Sequence, residues 1–93
     1  MAEYNVNICD DWNGVQDGKV TFTNNTGANC QITEDGSNTW PFKDGPPFPV
    51  NGSIPPGGTA STHLKTKRHL PDGTYSYQVA CCSDEAQKTV TVP

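Results

Sequence analysis

Long apolar runs are missing from this chain of 93 residues, which also has only one methionine and two histidines. Each scarcity excludes something. No apolar stretch approaches the length of a membrane span. Lysine and arginine number 6 against 10 acidic residues, for a net charge of −4. There is no broad basic surface of the kind that holds nucleic acid. The one basic cluster is Lys65, Lys67, Arg68 and His69. It reads first as a solvated strand end and loop, and only second as a local anion patch. No secretory leader is visible. Met1-Ala2 reads either as a natural start or as a start placed where a leader was removed. Apolar content is low, at 32%. Low hydrophobicity can signal disorder. Here the Val, Ile, Thr, Tyr and Phe residues fall in ordered alternation, so a folded chain is expected.

The length suits one small domain spanning residues 1–93. Tyr4-Asn-Val-Asn-Ile8 alternates with period two, placing Tyr4, Val6 and Ile8 on one face. Asp10 to Gly14 is a turn-rich break. Lys19 to Thr23 is a strand with Val20 and Phe22 inward, and Asn24 to Gly27 is a tight turn. Cys30 to Thr33 is the next strand. Thr59 to Lys65 follows, with Ala60, Thr62 and Leu64 on one side and His63 on the other. Thr74 to Ala80 points Tyr75, Tyr77 and Val79 one way, and Thr89 to Val92 closes the chain. The expected core includes Tyr4, Val6, Ile8, Val20, Phe22, Ile32, Leu64, Tyr75, Tyr77, Val90 and Val92. Ser37 to Pro49 carries four prolines, which cannot sit in a paired central strand. It is expected to be a long loop folding its aromatic side chains over the core. No segment has helical periodicity. Short strands separated by turn signals predict an all-β sandwich.

Candidate chemistry is thin. Scattered acids identify no carboxylate pair, and no nucleophile–base set stands out. The expectation is a non-enzymatic protein with no catalytic residues and no cofactor. Asn24-Asn25-Thr26 and Asn51-Gly52-Ser53 match the glycosylation sequon, a triplet that also arises as an ordinary polar turn. Trp12, Trp40, Phe42 and Phe48 read as packing residues before they read as an exposed aromatic patch. The cysteines are Cys9, Cys30, Cys81 and Cys82. An even number in a short chain points to disulfides in an oxidising compartment, or else to a metal site. Sequence alone does not select the pairing.

Four phrases run through most of the chain in a recognisable order. They are Gly18-Lys-Val-Thr-Phe-Thr-Asn-Asn25, Pro56-Gly-Gly58, Gly73-Thr-Tyr-Ser-Tyr77 and Thr89-Val-Thr-Val92. In this the chain resembles the cupredoxins of the plastocyanin-like type. The resemblance implies a Greek-key β-sandwich with loops gathered at one end, where copper sits in that family. It also implies that the blue-copper site is lost. Such a site needs two imidazoles, a thiolate and a weak axial ligand. Cys30 and Cys82 stand at the imidazole positions, and Val79, which cannot ligate, stands at the thiolate position. Gln87 lies near the axial position, and His63 and His69 lie outside the ligand positions. Copper-free members of the family, such as ephrins and early nodulin-like proteins, act through their surfaces.

The same resemblance gathers all four cysteines at one pole. Disulfides stapling the loops are the favoured outcome, with Cys30–Cys82 and Cys9–Cys81 as the expected bridges. A Cys30–Cys81 bridge needs only a small loop shift. The alternative is a soft-metal site for Zn²⁺ or Cu(I) built from Cys9, Cys30, Cys81 and Cys82, serving carriage or storage. Adjacency of Cys81 and Cys82 weighs against tetrahedral ligation by both. The functional expectation is therefore a disulfide-held binding or interaction domain, secreted or periplasmic, whose partner the sequence does not identify, a protein being one candidate.

Overall fold

The computed structural model describes residues 2–36 and 38–93. Met1 and Ser37, the start of the chain and the first residue of the expected long loop, lie outside the described residues.

Among the described residues seven strands form, in the order β1 Glu3–Asn7, β2 Trp12–Asn13, β3 Lys19–Thr23, β4 Ile32–Glu34, β5 Thr59–His63, β6 Gly73–Val79 and β7 Gln87–Val92. Among the described residues no helix forms. One sheet has the order β1-β3-β5 and the other β2-β7-β6-β4. Both are mixed. β1 runs parallel to β3, and β2 parallel to β7, while the remaining pairs are antiparallel. The all-β sandwich read from the sequence is thus present.

Period-two alternation explains which side chains meet between the sheets. Val6 and Ile8 from the first strand and its end, Val20 and Phe22 of β3, Tyr77 and Val79 of β6, and Val90 and Val92 of β7 are all buried. Phe22 belongs to a buried aromatic cluster. Its ring meets Trp12, Phe42 and Tyr77 edge-on, with centroids 6.0, 5.6 and 6.4 Å away. Such edge-to-face pairs add to what area burial alone contributes.

The described part of the proline-rich loop does cover the core. Trp40, Phe42 and Phe48 are buried. Isolated bridges Ile32–Phe48, Phe42–Leu64 and Cys30–Ile54 hold the loop and its continuation against the strands. The Trp40 indole donates to the Asp44 carbonyl at 2.9 Å, so its polar atom is satisfied where the ring is buried.

Some expectations need correcting. Tyr4 and Tyr75 are only half-buried. Tyr4 lies on the end strand of its sheet. The Tyr75 hydroxyl donates to the Pro71 carbonyl at 2.5 Å, which draws that ring toward the turn preceding β6. Trp12–Asn13 pairs with Val90–Thr91 and is a strand within the segment read as a break. Two residues are too few for alternation to show. Cys30 lies outside β4 and bridges Ile54 instead.

Candidate functional site

The site is the pole where the sulfurs gather. Cys9 bonds Cys82, and Cys30 bonds Cys81, leaving no free cysteine. This corrects the expected Cys30–Cys82 and Cys9–Cys81 pairs. The reason lies in the sheet register. Ile32 opposes Val79 in the antiparallel β4–β6 ladder. Counting two residues back from Ile32 gives Cys30, and two forward from Val79 gives Cys81. The bridge therefore extends that register, and its Cα–Cα distance of 5.4 Å is an ordinary cross-strand spacing. Beyond it the chain turns, with Cys82 N donating to Val79 O at 3.1 Å. Cys82 is left buried and reaches the end of β1 in the other sheet. One bridge thus prolongs a ladder and the other joins the two sheets.

The two bridges are close to one another. The sulfurs of Cys9, Cys81 and Cys82 all lie within 4.8 Å of one another. Cys9 and Cys81 border an open cleft of about 390 Å³ together with Thr26, Ala28, Ser83 and Asp84. Each sulfur is committed to a disulfide, so none is a thiolate of the kind soft metals take.

The turn facing this cleft is rigidly organised. Asn24 is fully buried. Its amide nitrogen donates to the carbonyls of Ala28 and Ile54, both at 2.7 Å. Its carbonyl oxygen accepts from Thr26 N at 2.9 Å and Thr26 Oγ1 at 2.7 Å. Every hydrogen-bonding group of the Asn24 side chain is occupied, which accounts for its burial. Both amide protons being engaged, Asn24 is not presented as a glycan acceptor. The second sequon asparagine, Asn51, is exposed.

The other positions singled out in the sequence do not join the cysteines. Val79 is fully buried, its N–H bonded to Ala86 O at 2.7 Å. Gln87 is directed onto Asp35, donating to it at 2.7 Å. His63 stands opposite Lys19 at the far end of β3 and β5, away from the bridges. The basic cluster is partly matched by acid. Lys67 is 3.8 Å from Asp72, and outside the cluster Lys43 pairs with Asp17. The hydrogen bond and charge of Lys43 hold the Asp17 carboxyl below its ordinary range.

Two features escape sequence reading. Asp35 accepts from Ser76 Oγ at 2.5 Å, Gln78 Nε2 at 2.8 Å and Gln87 Nε2 at 2.7 Å. These bonds, that from Ser76 foremost, hold its carboxyl below its ordinary range. The donors come from two strands remote in sequence, so no local pattern announces them. The second feature is Lys88, buried in β7, whose Nζ lies 3.5 Å from exposed Asp84. It alternates with Val90 and Val92 on the buried face of β7. Compared with protein-family models, curated proteins and solved structures, the chain matches none of them.

Proposed function

We propose that this chain is a non-enzymatic interaction domain on a Greek-key, cupredoxin-like scaffold whose copper site has given way to two disulfides. The observation that carries this reading is the fate of the sulfurs. All four are spent on bridges that tie the end of β1, the turn before β4 and the turn after β6 into one pole. Bridges joining residues 73 and 51 positions apart restrict the unfolded chain strongly. The order of strands in the two sheets is compatible with a Greek key. Stable disulfides fit an oxidising compartment, which supports a secreted or periplasmic protein.

A second reading, soft-metal carriage, is favoured by one observation only. Three of the sulfurs lie close enough to converge on one ion once both bridges are reduced. One experiment separates the two. Purified oxidised protein is titrated with Cu(II), and reduced protein with Zn²⁺ and with Cu(I). The interaction reading predicts no intense thiolate-to-copper band and no tight stoichiometric binding. A blue band, or one equivalent of metal held tightly against a competing chelator, moves the assignment to metal chemistry.

A further inference from the structure

The side of the sandwich between β1 and β2 is open. Tyr4 and Trp12 stand half-buried there with ring centroids 5.7 Å apart. β1 ends its sheet, and among the described residues no strand pairs its other edge. Lys19 N donates to Ala2 O, and Ile8 N donates to Thr23 O, each at 2.9 Å. Even-numbered positions of β1 therefore turn their backbone groups toward β3. In a strand these groups alternate in direction, so Glu3, Asn5 and Asn7 turn theirs outward. Asp10 N takes the Asn7 carbonyl at 3.0 Å. The amide and carbonyl groups of Glu3 and Asn5 still face solvent.

Natural proteins guard such edges with lysine, proline or a bulge. Glu3–Asn7 reads EYNVN and has neither residue, and its register with β3 is continuous. At one end of this edge is a cleft of about 380 Å³ lined by Tyr4, Asn13, Gly14, Val15, Thr91 and Pro93. Val15 is 46% exposed beside it. At the other end a smaller cleft of about 220 Å³ includes Asn7, Asp10 and Asp11. No ion pair among the described residues engages either aspartate.

We propose that the β1 edge docks an extended segment of a partner protein, added as an antiparallel strand. An apolar side chain sits against Tyr4 and Val15, and a cation lies beside Asp10 and Asp11. Main-chain hydrogen bonds supply affinity and alternate side chains supply specificity. This deepens the interaction-domain reading and rests on it. Charge selects the occupant. Antiparallel pairing of two copies through β1 brings Glu3 of each chain toward the Asp10 end of the other, in a chain of net charge −4. A basic partner removes that repulsion. Because the added strand runs antiparallel to β1, its cation precedes its apolar residue, and an even number of positions between them keeps both on one face.

The test uses an eight-residue synthetic peptide, threonine alternating with lysine in its first half and with valine in its second. Two further peptides carry N-methyl groups on one or the other alternate set of amides. Binding is followed by amide chemical shifts and hydrogen exchange on the oxidised full chain. The parent peptide is expected to bind, to protect the Glu3 and Asn5 amides, and to lose affinity when glutamate replaces its lysines. One N-methylated peptide loses about tenfold or more, as one or more edge hydrogen bonds go, while the other binds as the parent does. Asn5→Pro removes an outward N–H, leaves the ladder to β3 intact, and is expected to weaken binding with unchanged thermal stability. Equal binding by both N-methylated peptides overturns the proposal, as does no binding by the parent. A dimer formed through β1 in analytical ultracentrifugation overturns it in favour of a second copy. Binding mapped to another face overturns the edge assignment and leaves the interaction reading standing.

Discussion

The Trp12 indole N–H donates to the Tyr77 hydroxyl at 2.9 Å, joining β2 to β6 across β7 inside the sandwich. Tyr77 is fully buried, so this partner is what makes burial of its hydroxyl tolerable. Trp12→Phe removes the donor and is expected to cost about 1–3 kcal/mol by urea denaturation. Tyr77→Phe in the Trp12→Phe background should cost less than in the native chain, because the orphaned hydroxyl goes with it. Additive losses would show that the bond contributes nothing of its own.

Tyr77 also makes stability depend on alkaline pH. Burial raises its pKa above the ordinary value near 10, and the Trp12 bond only partly opposes this. The unfolded phenol ionises near pH 10 while the folded one keeps its proton. Its contribution is therefore whole below about pH 10 and is lost as the pH rises beyond it. Denaturation measured from about pH 8 to about pH 11 should show a steeper decline for the native chain than for Tyr77→Phe. Equal slopes would contradict the assignment.

How much of this is legible in the sequence depends on how local the cause is. Val20 and Phe22, Tyr77 and Val79, and Val90 and Val92 declare themselves by alternation, and they are buried. Ile54 and Leu70 are equally buried but sit outside the strands, where no period marks them. Tyr4 alternates correctly with Val6 yet remains half-exposed, because alternation names a face and not whether a strand is central or terminal. The disulfide pole shows the same limit. Resemblance places the four cysteines at one end, but the pairing turns on one register. Once Ile32 is known to oppose Val79, Cys30 and Cys81 fall opposite each other. Nothing in the spacing of the cysteines alone carries that register.

Asp35 anchors the end of β4 to β6 and β7. The three bonds that hold its carboxyl low favour the ionised form in the folded state. That contribution is present above the ordinary carboxylate pKa and is lost as the pH falls through the lower folded value. Asp35→Asn is expected to lower the midpoint of thermal unfolding at neutral pH. It should also flatten the part of the acid transition that Asp35 supplies. If the Asp35→Asn variant kept the acid profile and melting temperature of the native chain, these bonds would contribute nothing to stability.

The central claim is that all four sulfurs are structural, paired as Cys9–Cys82 and Cys30–Cys81. The most direct measurement is intact mass before and after reduction, followed by fragmentation mass spectrometry of the unreduced protein. Fragmentation is needed because Cys81 and Cys82 are neighbours that no protease conveniently separates. The account predicts a gain of four hydrogens on reduction, with Cys82 linked to Cys9 and Cys81 linked to Cys30. Free thiols in the native protein, or bridges linking Cys30 to Cys82 and Cys9 to Cys81, would contradict it.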